Sequence, residues 1–129
     1  MATQYIYDKI YDLITALGET CYIGSAPDVI DNICSFRYYD ASGDPIQTFE
    51  DIAVRFVNMQ VRIRDTSFET AYERADAIFT LFKHYSLQNI VTITPKSDIL
   101  GLGSDSKDRT MLSINFKIKM MGTDKVTVT

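Results

Sequence analysis

The chain has 129 residues, 46% of them hydrophobic and 23% charged, with a formal net charge of -4. That is enough for one compact domain with a modest core and too little for two. The acidic balance excludes a role resting on non-specific attraction to DNA or anionic membrane, which needs a basic footprint, and no apolar run approaches a membrane span.

The first predicted element is an amphipathic helix from about Tyr5 to Leu17. Ile6, Ile10, Leu13, Ile14 and Leu17 form its inward stripe, and Gly18 takes the C-terminal glycine position. Acidic residues inside this segment and the lack of a basic lead do not fit a cleavable signal peptide. Cys21 to Ile23 reads as a short strand, GSAPDVID as a loop and Ile33 to Tyr39 as a second strand. The two cysteines, Cys21 and Cys34, are expected to be reduced, buried and to behave as small hydrophobes. DASGDPIQ is rich in turn formers and halts any regular element.

The richest stretch runs from Ile52 to Phe82. Val57, Met59, Val61 and Ile63 alternate with Asn58, Gln60, Arg62 and Arg64, the period of a strand with one dry and one wet face. Ile52, Val54 and Phe56 alternate in the opposite parity, which predicts a bulge or bend near Phe56 and Val57. The strand stops at Asp65. Thr66 and Glu69 have the spacing of a capping box, and Phe68, Ala71, Tyr72, Ala75, Ile78, Phe79 and Phe82 then recur at helical intervals as a core-facing stripe.

Ile90 to Thr94 predicts another strand, ended by Pro95, and Leu112, Ile114, Phe116, Ile118 and Met120 alternate along a last long one. The order is α-β-β-β-α-β-β. Between the last two strands, about residues 95–110, lies a polar, glycine-containing loop of a length that compact domains seldom keep without a use. It reads as a contact arm, with Ile99, Leu100 and Leu102 as its hydrophobic anchor, and deleting Asp98 to Ser106 is expected to leave a folded subunit that no longer joins its partners. The closing TDKVTVT alternates and predicts pairing with a neighbour or a sheet edge.

The residue inventory argues against an enzyme. His84 stands alone near the end of the second helix, as a carbonyl cap or a surface residue, so no usual zinc set and no nucleophile with a base at motif spacing can be assembled. No cofactor is expected. GLGSDSKD lacks the ending of a phosphate loop, and Asp105 and Asp108 read as solvated loop acids. Arg55, Arg62 and Arg64, with Lys117 and Lys119, line a basic surface if their strands pair. Charged strand edges or salt bridges to Glu69 and Glu73 explain them equally well. A subunit interface is the competing reading, with Asp40, Asp44, Glu50 and Asp51 as acids for a neighbour's arginines.

The run VNMQVRIRDTSFETAYERADAIFTLF resembles the tail terminator (tail completion or minor capsid) proteins of long-tailed, siphovirus-like bacteriophages. The matching residues are Val61, Arg62, Arg64, Ala71, Tyr72, Ala75, Ile78 and Leu81, and the likeness extends over most of the chain. The resemblance implies a single α+β domain over 1–129, a mostly antiparallel twisted sheet flanked by two helices. It further implies a homo-hexameric ring in the virion, assembled in the host cytoplasm. Such a ring caps the tail tube, meets a head-completion or stopper protein and leaves a channel through which DNA passes without specific binding. Two alternatives stand beside it: another neck component such as a stopper or connector, and a small ligand-binding domain with a helix–sheet pocket near Tyr22, Tyr38 and Tyr39.

Overall fold

The computed structural model describes residues 2–39, 47–49, 52–88, 90–121 and 125–128. In chain order the elements are β1 (Ala2–Tyr5), α1 (Ile6–Thr15), β2 (Cys21–Ile23), β3 (Ile33–Tyr39), β4 (Gln47–Phe49), β5 (Ile52–Asp65), α2 (Phe68–Phe82), β6 (Tyr85–Leu87), β7 (Val91–Pro95), β8 (Leu100–Ser104), β9 (Thr110–Met121) and β10 (Lys125–Val128). The main sheet has the order β2-β3-β5-β9-β7-β6, with β4 paired to β5 and β8 paired to β9. Only β2 and β3 run parallel; the other pairings in it are antiparallel. The α+β class and the order of the longer elements are as expected. The short strands β1, β4, β6, β8 and β10 are additions, and the alternating C-terminal segment finds its partner in β1.

β9 pairs with β5 along its full 12 residues, from Val54 opposite Met121 to Asp65 opposite Thr110. Strand alternation then sorts the side chains. Met59, Val61 and Ile63 join Leu112, Ile114, Phe116, Ile118 and Met120 on one face, where α1 adds Ile6, Ile10 and Ile14 and α2 adds Ala71, Ala75, Ile78 and Phe82. Burying a side chain the size of Ile63 or Phe116 contributes about 1.5–3 kcal/mol, so this layer supplies most of the stabilisation. The two alanines bring α2 close to the sheet, and Phe82 meets Phe116 edge-on at 5.6 Å. Cys21 and Cys34 are opposite each other in the parallel pair, free and buried. The hydrogen bond to Cys21 and burial hold the Cys34 thiol protonated well above the usual range.

Several details differ from the sequence expectation. The β5–β9 register is unbroken, so no bulge lies at Phe56 or Val57. Val54 and Phe56 belong to the face away from the helices, where Lys117 sits 4.8 Å from the Phe56 ring. The cap of α2 falls one residue later than expected: Ser67 accepts from the Thr70 amide, and Asp65 accepts from the Ser67 amide. Phe68 and Tyr72 are 61% and 44% exposed and pair with each other outside the core, since β8 and β9 reach only the inner flank of the helix. Leu17 is exposed because α1 ends at Thr15. The turn expected at DASGDPIQ lies outside the described residues, apart from Gln47 in β4.

Three arginines tie the loops to this frame. Arg74, on α2, holds Glu19 through Nε and Nη2 and Asp65 through Nη1, and also donates to the Arg64 carbonyl. Arg64 reaches over the open sheet face to the carbonyls of Pro27 and Ile30. Arg109, only 2% exposed, donates to the Asp105 carboxylate at 2.8 Å and to the Asp28 carbonyl and carboxylate at 2.8 and 2.6 Å. Its ion pair with Asp31 is longer, 3.5 Å. The loop that joins β2 to β3 is thus clamped against the tip of the β8–β9 hairpin. Asp105 also accepts from the amides of Lys107 and Arg109. These bonds, led by the Arg109 guanidinium, lower its carboxyl to about 2.

Two outcomes follow from these anchors. Arg74→Ala strands Glu19 and Asp65 without their cation, and urea titration is expected to give a loss of about 2 kcal/mol in unfolding free energy. The depressed Asp105 pKa makes its contribution complete above the ordinary carboxyl value near 4 and lost as pH falls through about 2. A carboxyl titration followed by NMR is expected to show that midpoint; a midpoint near 4 would mean that the clamp is open in solution.

Candidate functional site

With both helices on one side, the other face of the main sheet is left to side chains of opposite parity. Across the central strands it carries Arg37, Gln60 and Asn115 in one cross-strand row and Ser35, Arg62 and Ser113 in the next. Farther along stand Lys117 and Lys119, opposite Asn58 and Phe56. Arg62, Arg64, Lys117 and Lys119 therefore do share a surface, as the pairing of their strands requires. Arg55 does not. Its register partner is the core residue Met120, so it belongs to the helix side at the far end of β5.

The surface has two regions. Arg62 and Lys117 are four positions apart along the ladder, roughly 13 Å, so the lysines form a separate cationic patch next to Phe56. Around the arginines, the clamped loop and the sheet enclose a concave pocket of about 430 Å³. Gly24, Ser25 and Ala26 form its loop wall, and Arg37, Arg62 and Arg64 project from β3 and β5; no carboxylate is among its lining residues. Arg62 is exposed and oriented by a 3.0 Å bond from Nε to Gln60 Oε1. Arg64 is buried, and its Nε has no hydrogen-bond partner among the described residues. The pocket gathers three guanidiniums, two serines and an amide, groups of the chemistry that pairs with anions, beside a loop tied down by Arg64 and Arg109.

The strand-edge explanation does not hold for the basic residues of the central strands. β5 and β9 are flanked on both sides, so their charges do not guard an edge. Arg74 ion-pairs with Glu19 and Asp65, and Arg109 with Asp28, Asp31 and Asp105; among the described residues neither Glu69 nor Glu73 pairs with Arg62 or Arg64. Asp40, Asp44, Glu50 and Asp51 lie outside the described residues. Asp105 is engaged by Arg109 and not solvated alone. The described residues hold no group of three or more His, Cys, Asp or Glu placed for a metal ion.

Part of the expected loop at 95–110 is β-structure, the strand β8 (Leu100–Ser104). β8 pairs with β9 through a register shift between Gly101 and Gly103, and the connection shrinks to the tight turn that Arg109 braces. The side chain of Ile99 packs against the core, whereas Leu100 and Leu102 are 43% and 47% exposed. Across a hollow of about 300 Å³, the exposed ring of Phe68 faces the backbone of Gly101 and Gly103. Leu100 pairs opposite Ser113 and so belongs to the open side of the sheet, apart from Phe68 on the helix side; among the described strands β8 is paired with β9 alone. Deleting Asp98 to Ser106 would take away β8 and the carboxylate that holds Arg109, so that change removes structure as well as contacts.

Sequence reasoning missed Arg37 and Arg109. Arg37 sits in the pocket because β3 pairs beside β5, a long-range fact that periodicity does not carry. The Asp105 and Arg109 spacing in a polar turn was the available signal for the clamp. Tyr22, Tyr38 and Tyr39 do not line the pocket, which lies on the open sheet face and not between helix and sheet.

The family model described as "Bacteriophage tail terminator protein" matches residues 8–121. A search of curated proteins gives no match. Among solved structures, a chain described as "Virion of native gene transfer agent (GTA) particle" is similar with a TM-score of 0.59 at 15% identity, and the match covers 92% of each chain. At that identity the likeness speaks for the fold. Because the family match spans α1 through β9, the chain belongs to the bacteriophage tail terminator family and is a structural protein of the virion tail, associated with other tail or head proteins.

Proposed function

We propose that this protein forms a ring, a homo-hexamer by analogy with its family, on the end of the phage tail tube. There it stops tube polymerisation and offers the surface that joins the head-completion or stopper protein. The observation that carries this reading is the family match over residues 8–121, joined to a site made for contact and not for chemistry. That site combines the exposed leucines of β8, Leu100 and Leu102, with an arginine-lined open face. The partners are further copies of the chain, the tail tube protein and the head-side joining protein. DNA passes through the central channel without specific binding, in keeping with the net charge of -4.

In this reading the exposed β8 leucines are the contact with the tube. Leu100 and Leu102 lie on a strand held by its pairing with β9 and followed by a turn that Arg109 fastens at Asp105, so they meet a partner without first being ordered. Leu100→Ser with Leu102→Ser is expected to keep the fold, since both side chains already face solvent, and to lengthen tubes grown in the presence of the protein because ends are no longer capped. Tube lengths in negative-stain images check this. Normal capping by the double variant would remove the hairpin from the tube contact.

A further inference from the structure

The two sides of the subunit differ in charge. On α2, Glu69, Glu73 and Asp76 recur along the outward stripe opposite Ala71, Ala75 and Ile78, all three exposed and none with an ion-pair partner among the described residues. On the open sheet face, Arg37 and Arg62 are exposed at the mouth of a pocket that holds no acid, with Lys117 and Lys119 on the same face. Both surfaces are fixed. Helix geometry sets Glu69 and Glu73 about 5–6 Å apart, and Arg37 and Arg62 are diagonal neighbours on paired strands, about 7–8 Å apart. Long side chains bridge that difference.

From this we infer that the occupant of the arginine pocket is a second copy of this chain, whose α2 lays Glu69 and Glu73 against Arg37 and Arg62. The inference rests on the ring proposed above and names its junction. A closed ring needs two different, complementary patches on each subunit, because every interface is head to tail. The acidic helix side and the cationic sheet side meet that requirement, while an isologous dimer through either one would set like charges face to face. The unpartnered Arg64 Nε in the pocket wall and the lack of any intrinsic carboxylate give the incoming acids donors to pair with. A nucleic-acid strand is the competing occupant of a cationic face, yet the concave arginine site suits single carboxylates better than a continuous backbone.

Charge reversal separates these outcomes. Arg37→Glu with Arg62→Glu is one variant and Glu69→Arg with Glu73→Arg the other; all four side chains are exposed, and thermal melts check that both proteins fold. In light scattering at low salt, each variant alone is expected to self-associate at least tenfold more weakly than the wild type. An equimolar mixture should recover assembly, because each junction then joins either two unaltered patches or two reversed ones. A mixture that stays dissociated, reversals without effect, or a wild type that is monomeric at low salt would overturn the inference. So would a sheet-face variant that assembles normally but loses retention of a DNA duplex. Tube capping, measured on the same samples, keeps the two ideas apart: capping by the wild type without recovery in the mixture sinks the junction alone, and recovery without capping sinks the terminator role alone.

Discussion

The β5–β9 ladder is the constraint on which the other features rest. Two long strands in unbroken antiparallel register leave no freedom in which side chains face the helices. One parity becomes Met59, Val61, Ile63, Ile114, Phe116 and Ile118, a dry layer that holds both helices. The other becomes Asn58, Gln60, Arg62, Asn115, Lys117 and Lys119, a polar surface with no helix to cover it. A slip by one residue would bury the cations and expose the core, a cost far beyond the stability of a domain this size. Core and open face are thus two readings of one pairing.

Around that ladder the structure uses arginine as a fastener. Arg74, Arg64 and Arg109 join segments that the sheet does not, and each does so through several donors at once. The planar guanidinium suits this use, since it remains charged at any ordinary pH and fans its donors into a fixed fork. The pocket wall at Gly24, Ser25 and Ala26 and the turn after β8 are short of apolar contacts of their own. Arg64 and Arg109 take the place of a core there, so a protein with a modest interior still holds its loops in one arrangement.

Local physics made much of this legible in the sequence. The final long strand follows from alternation, Cys21 to Ile23 and Ile33 to Tyr39 from their strand-like composition between turn formers, and Ile6, Ile10 and Ile14 from helical spacing. The failures share a cause. The opposite parity of Val54 and Phe56 read as a bulge because a strand was assumed to have one apolar face, whereas tertiary pairing gives both faces partners. Phe68 and Tyr72 match the helical stripe, but a stripe cannot say how wide the sheet beneath it is. The 95–110 segment looked like a loop because its glycines mask a strand that depends on β9 for its hydrogen bonds. For the site, Arg62, Arg64, Lys117 and Lys119 could be grouped from strand parity, while Arg37 required knowing which strand lies next to β5. Arg55 was misplaced for want of the register.

The ladder also has a bearing on timing. Its two strands are separated in the chain by α2, β6, β7 and β8, so its contacts are among the most non-local in the molecule and close only after long loops have been ordered. The Asp65 and Thr110 end closes the shorter loop and is the natural point from which pairing zips. Arg37, Arg62 and Arg64 are gathered by the shorter-range β3–β5 pairing, whereas Ser113, Asn115, Lys117 and Lys119 join that face only once β9 has zipped. The open face in its full extent is therefore a property of the finished fold and of no partly paired sheet.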